Sequence, residues 1–74
     1  MRQTYAIIGL GRFGGALLET LVANGQDVLG IDISEEHVND YRDIATQVVI
    51  ADAQEDEVLR KLDIASFVHI VIAI

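Results

Sequence analysis

Tyr5-Ala6-Ile7-Ile8-Gly9-Leu10-Gly11-Arg12-Phe13-Gly14 is the stretch whose reading decides the fold. An apolar run leads into glycines at 9, 11 and 14, an apolar helical pattern follows, and a second apolar run ends in Asp32, 23 residues after Gly9. Taken alone, three glycines at that spacing carry little weight. Set between strand, turn, helix, strand and acid, they have the order that a nucleotide-binding turn requires. Gly9 lets the chain leave the strand through backbone angles that a side chain resists. Gly11 removes a Cβ from the place where a pyrophosphate would approach the main chain, and Gly14 allows the helix to lie close on the strand. Unpaired N–H groups at the helix start favour an anion. Asp32 suits a ribose hydroxyl and repels a 2′-phosphate, which disfavours NADP. The competing reading is a tight turn whose glycines serve packing alone.

Outward from this turn, the pattern alternates. Residues 4–8 read as a strand, and a helix from about Arg12 to Ala23 carries Leu17, Leu18, Leu21 and Val22 at helical spacing. Asn24-Gly25 supplies its stop. A strand over 27–32 precedes Ser34, an N-cap for a helix of about 35–43 with Glu35 and Glu36 in its first turn. A third strand over 47–51, a third helix over about 55–61 and a last apolar run, 68–74, complete the pattern. Strands alternating with helices imply right-handed crossovers and a parallel sheet. The expected fold is α/β, a Rossmann-type doubly wound sheet of strand order 3-2-1-4, with the glycine turn beside the switch point.

Composition narrows the function. The 74 residues are 51% hydrophobic with no cysteine or proline, so neither disulfides nor a cysteine-built zinc site supports the fold. The run 68–74 is apolar on both faces, as in a strand covered by helices on each side. It stops without a turn signal, and the chain therefore reads as the N-terminal part of one larger nucleotide-binding domain. A formal charge of −7 with five Lys and Arg argues against nucleic acid and anionic lipid as partners. No signal peptide and no membrane span is legible, and a soluble, intracellular protein is expected.

The remaining polar residues divide into candidates and background. Arg12 sits inside the glycine motif, where it would either reach a phosphate oxygen, of its own nucleotide or a neighbour's, or stand solvated on the first helical turn; the two readings weigh equally. Asp52 ends the third strand and, with the Ala53 backbone, would lie near an adenine; as an N-cap for the third helix it has the commoner role. His37 and His69 do not make a metal pair: one falls on an exposed helix, the other inside a strand as a core or domain-contact histidine. Phe13, Phe67, Tyr5 and Tyr41 read as packing residues. No nucleophile, base and orienting acid assemble, so no catalytic and no metal-binding residue is assigned.

Gly9-Leu10-Gly11-Arg12-Phe13-Gly14-Gly15, Val28 to Ser34 and Ala45 to Ala53 together resemble the KTN (RCK-type) domains of the Ktr and Trk potassium-uptake systems, and among them the KtrA-type regulatory subunits of bacteria. Leu59 to Leu62, Ile64 and Val68 to Ile74 fit the same pattern. The Arg12-Phe13 pair is the more specific element, since ordinary dehydrogenases seldom carry it. The resemblance implies a non-enzymatic, nucleotide-sensing gating subunit that assembles as dimers into a ring. That ring would sit in the cytoplasm, docked on a membrane potassium-translocating subunit. It implies a site for NAD(H) or ATP/ADP in which Gly9, Gly11, Phe13 and Gly14 form the loop, Arg12 contacts phosphate, Asp32 holds the ribose, and Asp52 and Ala53 lie near the adenine. Asp63 departs from the pattern, since relatives often have glycine there. Two rivals stand beside this expectation: an NAD-dependent oxidoreductase domain lacking its catalytic part, and a dimerisation module with an empty site.

Overall fold

The computed structural model describes residues 2–74. Four strands and three α-helices alternate as β1 (Thr4–Ile8), α1 (Arg12–Ala23), β2 (Asp27–Asp32), α2 (Glu35–Tyr41), β3 (Gln47–Ile50), α3 (Asp56–Lys61) and β4 (His69–Ile72). A single 3-10 turn, Ile64–Ser66, precedes β4. All strand pairs are parallel, in the order β3-β2-β1-β4, as the alternating pattern predicts. The chain therefore steps outward from β1 to β3 and then crosses back to β4 on the far side of β1. The reversal lies between β1 and β4, next to the glycine turn.

Strand alternation sends neighbouring residues to opposite faces, and each face has its own core. Ile7, Leu10, Leu18 and Val28 form one cluster, joined by Leu17, Leu21, Val22 and Tyr41 from α1 and α2. Ala6, Ile8, Leu29, Ile31 and Ile64 form the other, joined by Leu59 and Leu62 of the α3 region and by Phe67. Each fully buried Leu or Ile contributes about 1.5–3 kcal/mol. The central strands β1 and β2 carry most of that burial.

The edges differ from expectation. β4 alternates between half-buried and exposed positions. His69 and Val71 share a face with Tyr5 and Ile7, their register partners on β1. Ile70 and Ile72 pair beside Ala6 and Ile8 but stay exposed. Among the described residues this strand is thus covered on one side only, in line with a last strand that has nothing after it to cover its other face. His69 is not a core histidine: its ring stacks on Tyr5 at a centroid distance of 4.4 Å, and Nε2 lies 2.8 Å from Gln3 Oε1. Phe13 is not a packing residue either, being 66% exposed on the first turn of α1.

Candidate functional site

The glycine turn is constrained by backbone. Gly9 has φ +99°, and a Cβ there would come within 2.8 Å of the Ala73 carbonyl oxygen, so both its angles and its surroundings select glycine. A Cβ on Gly14 would run into the Gly9 carbonyl oxygen, which is why α1 can lie so near the end of β1. Gly11 is different. It caps α1 with φ −73° and ψ −157°, angles open to any residue, and a Cβ built on it meets no protein atom within 4 Å. The fold has no steric need for glycine at this position. Because Gly11 has no side chain, nothing caps the first turn. The helix ladder begins with Gly15 N–H on the Gly11 carbonyl, leaving the N–H groups of residues 12–14 without a helical acceptor.

Asp32 closes the other side of the turn. Its Oδ2 accepts the Leu10 N–H at 2.7 Å and its Oδ1 accepts the Ser34 N–H at 2.8 Å. The carboxylate thereby ties the glycine loop to the end of β2 and starts the chain toward α2, where Ser34 Oγ accepts the His37 N–H. Burial pushes the Asp32 carboxyl upward. The two backbone N–H bonds and the His37 ring outweigh burial and hold it below the ordinary 3.8. A carboxylate has about four acceptor positions, so three partners leave Asp32 room for one more donor.

Between these features lies an apolar cleft of about 570 Å³, the size of a small-ligand pocket. Its walls come from the C-terminal ends of all four strands: Ile8 with Gly9 and Gly11, Ile31 with Asp32 and Ile33, Ala51 with Ala53 and Gln54, and Ile72 to Ile74. Leu59 of α3 and His37 of α2 complete it. Polar groups on the rim and apolar walls within suit a ligand with a flat apolar body and a charged end.

Of the candidates read from sequence, Gly9, Gly11, Asp32 and Ala53 line this cleft. Gly14 is buried behind the loop as a packing residue, and Arg12 and Phe13 stand exposed on the first turn of α1, outside the lining. Asp52 corrects an expectation. It does not cap α3, whose N-cap is Glu55 with no side-chain bond. Its Oδ1 accepts the Gln54 N–H at 2.9 Å, which shapes the turn beside Ala53 instead. One participant was missed. His37 reaches Asp32, Nδ1 to Oδ2 at 3.2 Å, and the signal was present: with Ser34 as N-cap, position 37 faces back toward the strand end. Gly15 has no room for a Cβ because the Tyr41 ring lies against it.

A chain with these features has known counterparts. It is 42% identical over 74 residues to Ktr system potassium uptake protein C of Bacillus subtilis (strain 168), covering all of this chain and 34% of that protein. It is 47% identical over 72 residues to Ktr system potassium uptake protein A of the same organism, covering 97% of this chain and 32% of that protein. Against Ktr system potassium uptake protein A of Vibrio alginolyticus the identity is 34% over 72 residues, covering 97% and 33%. The chain thus spans about a third of the length of these curated relatives. The family model described as the TrkA-N domain matches residues 5–74. With parallel strands in the order 3-2-1-4, a glycine turn at the switch point and this match over nearly its whole length, the chain belongs to the TrkA-N family of nucleotide-binding domains.

Proposed function

We propose that this chain is the nucleotide-sensing module of a regulatory subunit in a bacterial potassium-uptake system, taking NAD(H) or ATP/ADP as its ligand. The observation that carries the reading is Gly11: a glycine that the fold does not need, standing at an uncapped helix start on the rim of an apolar cleft. A ligand phosphate explains both the missing side chain and the unused N–H groups. In this reading Gly9, Gly11 and Gly14 shape the loop, Asp32 accepts from the ribose through its remaining position, and Ala53 borders the adenine with Asp52 setting the turn. Arg12 and Phe13, exposed beside the loop, contact phosphate or a neighbouring subunit.

The module senses and does not react. A bound nucleotide shifts an assembly only by favouring one arrangement; moving a two-state ring from 1:99 to 99:1 takes about 5.5 kcal/mol of differential affinity in all, which several sites can share. The relatives' names, potassium uptake proteins of the Ktr system, support a membrane potassium-translocating partner; the subunit sits beside it on the cytoplasmic face, as dimers forming a ring, as the resemblance to KTN domains implies. The chain is then the first part of a longer domain whose remainder covers Ile70 and Ile72, in keeping with the third of the relatives' length that it spans.

Calorimetric titration with NADH, NAD, ATP and ADP tests the reading. Gly11→Val, whose Cβ meets no protein atom within 4 Å and whose fold is checked by circular dichroism, lowers affinity by more than about tenfold, because the branched side chain occupies the phosphate approach. Equal binding by wild type and Gly11→Val would rule out a phosphate at this turn.

A further inference from the structure

The glycine turn is held from two sides. On the β2 side, Gly9 N–H donates to the Ile31 carbonyl at 2.8 Å and Leu10 N–H donates to Asp32. On the β4 side the contact comes from Ala73, the residue after the strand's last, Ile72. Its N–H donates to the Ile8 carbonyl at 2.7 Å, which carries the β1–β4 pairing one step further. Its carbonyl covers Gly9 so closely that no Cβ fits there. Its methyl lies over Gly14: a Cβ built on that glycine would come within 3.2 Å of it. One residue therefore bears on the first and the third glycine of the turn at once.

The residue type is informative. Ala73 stands among Ile70, Val71, Ile72 and Ile74, the β-branched residues that a strand surface favours. Alanine breaks the run where β4 meets the start of α1. Ala73 shares its face with Val71, and both pack on the cluster of Ile7, Leu10, Leu18 and Val28. Two more carbons at position 73 press on Gly14, whose main chain has no rotamer by which to yield. The first turn of α1 then shifts, and with it the N–H groups of residues 12–14 that lack a helical acceptor. A binding constellation has to be held within about 0.5 Å of its productive geometry, so a small shift is enough to misaim them.

We propose that Ala73 is a positioning residue of the phosphate-binding turn: its small side chain sets how near the end of β4 stands to Gly9 and Gly14, and so aims the free N–H groups at the start of α1. This rests on the nucleotide reading above. Ala73 borders the cleft, yet its methyl packs toward α1, and its effect on a ligand passes through the turn. Asp32 and Ala73 grip the turn from opposite strands, the first by hydrogen bonds and the second by its size.

The test compares ADP with adenosine, which lacks the phosphates, by calorimetry on the intact protein and on Ala73→Val, Ala73→Ser and Val71→Ala. Ala73→Val lowers ADP affinity by about tenfold or more, the size of one hydrogen bond to a charged group, and leaves adenosine affinity within about twofold. Ala73→Ser, one atom larger than wild type, gives a smaller loss in the same direction and serves where Ala73→Val does not fold. Val71→Ala loosens the same face of β4 without touching the turn, so it lowers the urea midpoint and keeps the wild-type ratio of ADP to adenosine affinity. Hydrogen exchange without ligand separates a displaced turn from a side chain that obstructs the cleft. In the Ala73 variants alone, the Leu10 and Gly15 amides exchange faster relative to the amides of β2. A wild-type affinity ratio in both Ala73 variants, or unchanged relative exchange at Leu10 and Gly15, overturns the proposal and leaves the nucleotide site standing. If folded wild-type protein binds neither ADP nor adenosine, the nucleotide reading falls and this one with it.

Discussion

Two strand-to-helix turns border the same cleft and are built in opposite ways. The first, from β1 to α1, is closed by backbone: Gly14 lies against the Gly9 carbonyl, Gly9 against Ala73, and Asp32 pins Leu10, which is 1% exposed. Its helix runs twelve residues and buries Gly14, Gly15 and Leu18. The turn from β3 to α3 has no such contacts. Its helix is six residues long with no buried position and no side-chain cap, and Asp52 shapes the turn through one local bond to Gln54. The contrast teaches where geometry is fixed and where it can yield. Under the nucleotide reading, the rigid turn meets the phosphates, whose shape is common to all candidate ligands. The compliant turn meets the base, where fit must adjust.

The largest effect that tests this contrast is Gly14→Ala. The added methyl meets a main-chain oxygen that cannot rotate away, so α1 must lift from β1 and expose part of the Leu18 cluster. Such overpacking costs about 3 kcal/mol or more, a large share of the stability of a small domain. Urea denaturation should show a large fall in midpoint or a chain that no longer folds. Asp52→Ala on the compliant turn loses one exposed bond and costs about 0.5 kcal/mol. Similar costs for both substitutions would break the comparison.

Asp32 gives an intermediate effect with a definite pH signature. Asp32→Ala orphans the N–H of Leu10 and of Ser34 and should cost about 2 kcal/mol. The folded-state carboxyl lies below its ordinary 3.8, so its contribution is fully present above that value and is lost as pH falls through the folded value. Stability measured from pH 5 downward should therefore decline in wild type from about pH 4. Asp32→Asn should lose the part of that slope due to this residue. An unchanged acid slope in Asp32→Asn would mean that the bonds to Leu10 and Ser34 do not favour the charged form.

The rigid region was the more legible one in the sequence. Glycine spacing, apolar periodicity and the terminal acid of β2 gave the element order and strand order, because each reports a local backbone requirement. Boundaries drifted where local signals compete. The second helix ends at Tyr41 and not at 43, and the third begins at Asp56 because Glu55, not Asp52, stands at its cap. The 3-10 turn Ile64–Ser66 was not foreseen, since three residues show no periodicity. Side-chain partners across elements were the least legible. His37 looks like any exposed helical histidine until the Asp32 turn brings it back onto the strand end. Phe13 reads as core by type, yet its position on the first turn of α1 leaves it exposed.

The smallest prediction asks whether the compliant region can be tightened. Asp63 leaves α3 with φ 55° and ψ 42°, the one non-glycine positive φ among the described residues. Left-handed angles cost an L-residue roughly 1–2 kcal/mol, and aspartate lessens the cost only when its side chain finds a local donor. At Asp63 no side-chain capping bond forms, so the compensation is missing. Glycine removes the strain but makes the unfolded chain more flexible, which returns about 0.4–1 kcal/mol. The balance favours Asp63→Gly by up to about 1 kcal/mol, read as a higher urea midpoint at unchanged m-value. If the substitution instead destabilises, the Asp63 carboxylate supports this turn through a contact formed in solution, and the β3–α3 region is held more firmly than its lack of buried residues implies.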